Sequence, residues 1–297
     1  MILLTGASGF LGKAMTERLD NLHLDYITVG RSTMNTVKWD LGTKCTSVLA
    51  GDTVVHAAGK AHMIPKNAED KADFYAVNVQ GTRHLLEALE NNDSLKKFVF
   101  ISSVAVYGLI EGIDIAEDAL LLATDPYGNS KIEAEKMIAG WCTKKNIEYY
   151  ILRLPLIAGK RAPGNLGAMV SGIRSGRYLS IGKADSKKSM ILANDLANFI
   201  TNIQGLSGVY NLTDGYHPSF KELEHTIATF YKKNEPVALP LIVAKLLGFA
   251  GDLIGSKFPL NSNKLKKITS TLTFNDSKAR NLLGWQSHEV LKHWEVE

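Results

Sequence analysis

The stretch that decides the fold is "ILLTGASGFLG", residues 2–12. An apolar run leads into three spaced glycines, and helical spacing of apolar residues begins near Phe10. A buried strand that turns through glycines into a helix is typical of the first βαβ unit of a dinucleotide-binding domain. In such a turn Gly6 gives the tight bend, Gly9 lets a pyrophosphate approach the backbone, and Gly12 lets the helix pack closely on the strand. The spacing is GxxGxxG rather than the standard GxGxxG, so the prediction rests on its place at the first strand–helix junction.

The first half of the chain alternates short apolar runs with amphipathic segments. The predicted strands cover residues 2–5, 24–29, 53–58, 97–103 and 149–154, and the helices between them cover 10–22, 68–91 and 129–146. Repeated strand–helix–strand units with right-handed crossovers predict an α/β fold with a doubly wound parallel sheet of the Rossmann type. Ligands in such sheets bind beyond the carboxyl ends of the strands.

After residue 156 this regularity decays. A strand is predicted at 208–215 together with its turn, and helices are predicted near 219–232, 240–255 and 263–270. We therefore expect a dinucleotide-binding domain at 1–157, joined by 188–210. A smaller substrate-binding region, mostly C-terminal, is expected at 158–187 and 211–297.

Composition narrows the class of protein. The 297 residues carry a formal net charge of +4 without blocks of like charge, which gives little support to nucleic-acid binding. Cys45 and Cys142 lie far apart and form neither a disulfide pattern nor a metal-ligand cluster, and the histidines have no ligand spacing. No metal site is expected. The start methionine runs directly into the first strand, so we expect no signal peptide and a cytoplasmic location.

The most apolar late segment is "LPLIVAKLLGFAGDLIG", residues 239–255. Lys245 and Asp252 interrupt it, and it is shorter than the roughly 20 residues that a membrane span needs. No membrane span is therefore expected. We predict a packed helix, with a membrane-surface or oligomer contact as the less favoured alternative.

The end of the second strand bears on the cofactor. It reads "ITVGRST" and lacks the acid that would hold a free ribose 2′-hydroxyl. Arg31 stands there instead, where an arginine can hold a 2′-phosphate, lie over the adenine face, or remain a solvated loop residue. NAD and NADP both stay open, with a slight preference for NADP. Asp40 is either a partner of the adenine amino group or a turn residue at the end of a strand.

A catalytic set is predicted from three polar residues beyond the strand ends. Ser103 ends a buried strand, and Tyr127 follows 24 residues later in "YGNSK", residues 127–131. Tyr127 and Lys131 share a helix face one turn apart, so the ammonium is expected to lower the phenol pKa from about 10. The alternative is an ordinary helix start with an exposed lysine. The full set indicates proton transfer coupled to hydride transfer between a nicotinamide and a carbinol or ketone.

Five motifs appear in order along the chain: TGxxGFLG at 5–12, "NVQGT" at 78–82, "SSVAVYG" at 102–108, "YGNSK" at 127–131 and "LRLP" at 152–155. With them the sequence resembles the extended short-chain dehydrogenases/reductases of the nucleotide-sugar epimerase/dehydratase group over nearly its whole length. The resemblance implies Ser103, Tyr127 and Lys131 as catalytic residues and Asn165 as a contact of the substrate diphosphate. The cofactor positions predicted from the residues and the resemblance are Gly6, Ser8, Gly9, Phe10, Leu11, Gly12, Arg31, Asp40, Leu41, Ala57, Ala58, Gly59, Asn78 and Pro155.

The resemblance also narrows the reaction. Dehydratases of this group carry an Asp-Glu pair directly after the catalytic serine or threonine, whereas Val104 and Ala105 stand here. What remains is hydride transfer at C4 of a UDP-activated hexose or hexosamine, by a 4-epimerase or a 4-keto reductase, in the making of surface polysaccharide precursors. A homodimer is a family-level expectation. The alternatives are an NADP-dependent reductase of a hydroxysteroid- or flavonoid-like ketone and a non-catalytic, cofactor-sensing regulator.

Overall fold

The computed structural model describes residues 1–45, 49–61, 65, 67–255 and 260–296. Among these residues the strands, in chain order, are β1 (Ile2–Thr5), β2 (Tyr26–Gly30), β3 (Val37–Lys38), β4 (Thr53–His56), β5 (Lys97–Ser103), β6 (Gly112–Ile115), β7 (Glu148–Leu154), β8 (Leu156–Ala158), β9 (Leu179–Ile181), β10 (Met190–Leu192), β11 (Gly208–Asn211), β12 (Val237–Leu239) and β13 (Leu272–Phe274). In the described part of the chain, seven strands form one parallel sheet in the order β11-β7-β5-β4-β1-β2-β3. The predicted doubly wound parallel sheet is confirmed.

The helices of the described residues are α1 (Phe10–Asn21), α2 (Ala68–Tyr75), α3 (Gly81–Ala88), α4 (Pro126–Lys145), α5 (Gly164–Arg174), α6 (Ala193–Thr201), α7 (Phe220–Phe230), α8 (Leu241–Ile254), α9 (Ser262–Thr269), α10 (Ser277–Leu283) and α11 (Val290–His293). A π-helical segment, Ala76–Gln80, joins α2 to α3. The three helices predicted between the early strands are present, and the strand predicted from residue 208 joins the sheet edge. The division into two regions stays a prediction.

Two hydrophobic clusters sandwich the sheet. Leu3 and Leu4 are neighbours on β1 and both are fully buried, because successive strand residues point to opposite faces. Leu4 belongs to the cluster that contains Met15 of α1, and Leu3 to the cluster that contains Phe98 of β5. Burial of both faces explains why these strands are continuous apolar runs rather than alternating ones.

Helix α4 begins three residues before the predicted position 129. The Asp125 side chain accepts hydrogen bonds from the backbone N–H groups of Tyr127 and Gly128, and Pro126 occupies the first turn. An aspartate cap followed by proline is a strong helix-start signal. The early start places Tyr127 inside the first turn of α4.

Helix α8 lies where it was predicted, but the prediction that it is packed is wrong for its large side chains. Its buried residues are the small ones, Ala244, Gly248 and Gly251, and most of its larger apolar residues are exposed. No helix among the described residues is long and apolar enough to cross a membrane.

A buried ion pair ties α4 to the sheet. Arg153 of β7 donates two hydrogen bonds to the Glu135 carboxylate, with N···O distances of 3.2 and 2.8 Å, and both side chains are 5% exposed. Ser102 of β5 donates to the same carboxylate at 2.5 Å. Burial lowers the pKa of Arg153, but the hydrogen bonds and charge of Glu135 outweigh it, and the pKa is raised overall.

Removal of one member of this pair should destabilise the fold strongly. We expect Arg153→Met to lower the free energy of unfolding by roughly 3–5 kcal/mol, since it leaves a buried carboxylate without its partner. The double variant Arg153→Met/Glu135→Leu should recover most of that loss. Urea unfolding at pH 7 measures both.

The control is Lys292→Met, which removes the exposed pair of Lys292 with Glu289. It should change the free energy of unfolding by less than about 1 kcal/mol. An Arg153→Met variant as stable as this control would show that the buried pair does not stabilise the fold.

Candidate active site

The glycine loop forms a tight cradle at the carboxyl end of β1. Gly6 has φ +77°, and a Cβ there would lie 2.6 Å from the Ala58 nitrogen. A Cβ on Gly12 would lie 2.1 Å from the Gly6 carbonyl oxygen. The roles predicted for Gly6 and Gly12, a tight bend and close packing, therefore follow from the geometry. The first turn of α1 has no side-chain cap from Gly9 and no acidic residue, so its N–H groups and the helix dipole favour an anion.

The loop after β4 passes directly beneath this cradle, and Asn78 holds it. The Asn78 Oδ1 atom accepts from the Lys60 backbone N–H at 2.7 Å. The Asn78 amide group donates to the Lys60 carbonyl at 3.1 Å and to the Ser130 hydroxyl at 2.9 Å. The half-buried Ala57 and Ala58 and the exposed Gly59 are thereby fixed between β4 and α4. In the described contacts Asn78 acts as a brace between the loop and α4.

His56, at the end of β4, is a neutral member of the core. Thr82 donates its hydroxyl proton to the Asn78 carbonyl, so it accepts from His56 Nε2 at 3.0 Å. The Nδ1 atom then accepts from the Thr5 hydroxyl at 2.7 Å. Burial, helped by the nearby charge of Lys131, lowers the pKa of His56 to about 3. This geometry makes His56 a hydrogen-bonded packing residue.

Ser103, Tyr127 and Lys131 come together beside the cradle. Ser103 ends β5, and the interaction of its hydroxyl with Tyr127 of α4 lowers the pKa of the phenol. Lys131 Nζ donates to the Ile101 carbonyl at 2.8 Å and lies 4.6 Å from the centre of the Phe100 ring. A Cβ on Gly59 would be only 3.3 Å from that Nζ, so the ammonium borders the loop under the cradle.

The electrostatics of Tyr127 differ from the expectation. Burial raises its pKa above 10, and the hydrogen bond with Ser103 only partly opposes this effect. Lys131 was expected to lower this pKa, which is wrong for this structure, since the ammonium is bound to Ile101. Burial lowers the pKa of Lys131 itself to about 8, and the charge of Glu135 opposes that shift.

Glu135 is the residue that sequence reasoning missed. Tyr127, Lys131 and Glu135 follow one another at four-residue spacing on α4, so they form one face of the helix. Glu135 couples this face to Arg153, the arginine of "LRLP". An arginine inside a buried strand requires an acidic partner, so Arg153 was the signal from which Glu135 could have been found.

The remaining predicted positions surround the cradle less closely. Arg31 is exposed after β2, and Asp40 is exposed and accepts from the Gly42 N–H at 3.0 Å, as a turn residue does. Leu41 and Leu11 are core residues, so only their backbone groups are available to a ligand. Of the others, Ser8 is exposed in the loop, Phe10 packs near Gly159, Pro155 lies between β7 and β8, and Asn165 is exposed in the first turn of α5.

These features define a class: a doubly wound dinucleotide-binding fold with a Ser–Tyr–Lys set beside the cradle. A model of the NAD dependent epimerase/dehydratase family matches residues 2–206, and the chain belongs to that family. It is an enzyme of the epimerase type, and the cradle fits the pyrophosphate of the NAD cofactor in its shape, its free helix N–H groups and its lack of acids.

Two relatives of known activity are similar over most of their length. One is the N-acetyl-alpha-D-glucosaminyl-diphospho-ditrans,octacis-undecaprenol 4-epimerase of Escherichia coli O157:H7, 30% identical over 93% of this chain and 88% of that protein. The other is the UDP-glucose 4-epimerase of Vibrio cholerae, 27% identical over 98% of this chain and 92% of that protein. The solved UDP-glucuronic acid 4-epimerase of Bacillus cereus in complex with NAD superposes with a TM-score of 0.74 at 20% identity, over 98% of this chain and 94% of that one.

The neutral His56 should make stability depend on pH. Its folded-state pKa is lowered to about 3 from an ordinary 6.5, so the unfolded chain binds the extra proton between these values. The contribution of the neutral His56 to the free energy of unfolding is complete above pH 6.5 and is lost as the pH falls toward 3. We expect a loss of about 2 kcal/mol between pH 6.5 and pH 5 from this group.

Urea unfolding of the wild type and His56→Gln at both pH values measures this loss, because the carboxylates titrate alike in the two proteins. The variant should be less stable at pH 6.5 but should lose less on acidification. His225→Gln, at a histidine whose side chain is 65% exposed, should keep the wild-type slope. Equal slopes for the wild type and His56→Gln would contradict a neutral buried imidazole.

Proposed function

We propose that this protein is an NAD(P)-dependent 4-epimerase that inverts C4 of a hexose or N-acetylhexosamine carried on a diphosphate, with UDP as the carrier. The observation that carries this proposal is the interaction of Ser103 with Tyr127 on α4, the helix whose Lys131 borders the loop beneath the cradle. The relatives that match nearly the whole chain are 4-epimerases of UDP-glucose and of a diphosphate-linked N-acetylglucosamine. The product would serve surface polysaccharide synthesis.

The cofactor supplies a hydride acceptor and donor, and the side chains manage the proton. Tyr127 takes the proton of the C4 hydroxyl as that carbon is oxidised to a ketone and returns it when the carbon is reduced from its other face. Ser103 donates its one hydroxyl proton to the same substrate oxygen, which steadies the transferring proton. Because its pKa is raised, the Tyr127 phenol needs a nearby positive charge to lose its proton. Lys131 supplies that charge when its ammonium leaves the Ile101 carbonyl and approaches the phenol.

The residues that follow Ser103 disfavour dehydration of the sugar. Elimination of water across C5 and C6 needs an acid and a base close to the ketone. Val104 and Ala105, which follow Ser103 in a 3₁₀ turn, offer neither group. Glu135 is engaged by Arg153 and Ser102. C4 redox chemistry is the reaction that this set of side chains supports.

The substrate diphosphate is assigned to the start of α5. Asn165 is exposed in its first turn, and Pro163 before it provides no side-chain cap. The free N–H groups of that turn and the Asn165 amide are suitable donors for a diphosphate.

A second candidate is a 4-keto-sugar reductase, which uses the same three catalytic residues with an exchangeable NADPH. Arg31 is the observation that favours it, because no acid follows β2 to hold a ribose 2′-hydroxyl.

The experiment that separates the two candidates starts with the released cofactor. The purified protein is denatured and the cofactor identified, and native protein is then mixed with UDP-glucose or UDP-N-acetylglucosamine without added cofactor. C4 isomers in the NMR spectrum together with retained NAD support the epimerase. NADPH oxidation by a 4-keto sugar without isomer formation supports the reductase. A protein that gives neither result with these sugars contradicts both.

Tyr127→Phe should abolish catalysis while binding persists. We expect turnover of the UDP-sugar to fall by about 10²–10⁴-fold, the usual contribution of a general acid–base group. NADH binding, followed by fluorescence, should stay within about threefold. Tyr26→Phe is the matched control, since it removes only an exposed hydrogen bond to Asp20 at the opposite end of the strands. Normal turnover by Tyr127→Phe would refute the proposed proton transfer.

Arg31 is expected to discriminate between the two cofactors. If it holds the 2′-phosphate, Arg31→Ala should weaken NADPH binding roughly 10- to 100-fold and leave NADH binding nearly unchanged. Titration of NADH and NADPH fluorescence with both proteins measures the two dissociation constants. Equal weakening for both cofactors would instead place Arg31 over the adenine, and no change for either would leave it a solvated residue.

A further inference from the structure

Helix α8 exposes an apolar stripe that the proposed function does not use. Ile242, Leu246, Phe249 and Leu253 follow one another at the spacing of one helix face and are 74%, 66%, 63% and 75% exposed. The helix has 14 residues and is about 21 Å long, so the stripe runs along its full length.

The helix is inverted relative to an ordinary amphipathic surface helix. Its protein-facing side consists of Ala244, Gly248 and Gly251, and a Cβ on Gly248 would be only 3.4 Å from the Ser262 nitrogen of α9. Small residues let α8 lie close to α9, while the large apolar residues point away from the core. A row of exposed apolar side chains along a whole helix of a folded chain marks an interaction surface.

The patch continues beyond α8. The start of the helix lies against the end of β9, where a Cβ on Gly182 would be 3.6 Å from the Leu241 Cβ. Leu179 of β9 and Val237 of the paired β12 are 54% and 73% exposed. The apolar surface thus consists of α8 and the adjoining β9–β12 pair, which we call the α8 surface.

The segments that contain α8 and α9 are basic. The described residues from 237 to 255 and 260 to 269 contain four lysines and one aspartate, a formal net charge of +3 in a chain whose total is +4. Lys266 and Lys267 are exposed on α9, which packs against α8, and Lys245 is exposed on α8 itself. Glu111 pairs with Lys266 at 3.5 Å, in a contact where both side chains are more than half exposed.

An apolar stripe on a helix that packs against a lysine-bearing helix is complementary to an anionic lipid surface. Such a helix lies in the plane of the interface with its apolar face in the headgroup–acyl boundary, and basic residues add attraction to the charged headgroups. A second copy of this chain is a poorer partner, since a two-fold contact through α8 would bring the two lysine groups together.

We infer that the α8 surface docks the protein onto the surface of an anionic phospholipid bilayer, with α8 lying in the interface and not crossing it. The large apolar side chains of α8 enter the boundary layer, and the lysines of α9 contact the headgroups. Docking involves no catalytic residue, so its outcome is separate from that of the sugar assays.

The test is flotation of the full-length protein with vesicles of phosphatidylcholine alone or with one quarter phosphatidylglycerol, at low and high salt. We expect binding to the anionic vesicles at low salt and at least tenfold weaker binding with phosphatidylcholine alone. Leu246→Glu/Phe249→Glu should weaken binding at least tenfold, and Lys266→Gln/Lys267→Gln should weaken it less. Leu206→Glu, at a residue 63% exposed elsewhere, should bind as the wild type does.

A second measurement reports insertion without removing the apolar face. Tryptophan fluorescence of Phe249→Trp should shift to shorter wavelength on anionic vesicles, whereas Leu206→Trp should not shift. Near-ultraviolet circular dichroism checks that each variant keeps the native fold.

Three outcomes would overturn the inference. The first is a wild-type protein that does not bind anionic vesicles, and the second is binding that the double glutamate variant retains. The third is a wild-type dimer in light scattering that this variant converts to a monomer while vesicle binding is absent, which would assign the α8 surface to a second copy.

Discussion

A Cβ on Gly6 would lie 2.6 Å from the Ala58 nitrogen, and one on Gly12 would lie 2.1 Å from the Gly6 carbonyl oxygen. These two close approaches fix β1, α1 and the end of β4 relative to one another. They leave a concave backbone surface at the start of α1, where N–H groups rather than side chains face a ligand. The cofactor cradle is therefore a consequence of packing that side chains at these positions would prevent.

Hydrogen bonds connect the cradle to α4, the helix that contains Tyr127 and Lys131. Asn78 fixes the loop after β4 and also bonds to Ser130 of α4, and Thr5, His56 and Thr82 form a chain of hydrogen bonds beneath it. Buried groups of this kind are stable only when each has a partner. These hydrogen bonds together set the position of α4, and therefore of Tyr127, relative to the cradle.

The sequence was informative where one physical requirement determines a residue. Glycine spacing, buried runs on a two-faced sheet and the Tyr–Lys spacing predicted the sheet, the cradle and the grouping of the catalytic set. The surroundings of a side chain could not be predicted in the same way. The pKa of Tyr127 depends on its burial and on where Lys131 binds, and residue spacing alone determines neither. Helix α8 shows the same limit, because an apolar stripe has one periodicity whether it faces the core or the solvent. The small residues on the opposite side, Ala244, Gly248 and Gly251, are the ones that face the protein, so the apolar stripe faces the solvent.

Lys131 and Glu135 explain how a buried ammonium can serve a proton-transfer site. Burial lowers the pKa of Lys131 from its ordinary 10.5, and the carboxylate of Glu135 one turn away opposes this shift. The resulting pKa of Lys131 is about 8. Arg153 and Ser102 together bind both oxygens of the buried Glu135 carboxylate. The positive charge of Lys131, one turn along α4 from Tyr127, thus depends on the Glu135 carboxylate one turn further along, and that carboxylate depends in turn on Arg153 of β7. The proposed catalytic set is therefore anchored in the sheet through charge compensation as well as through packing.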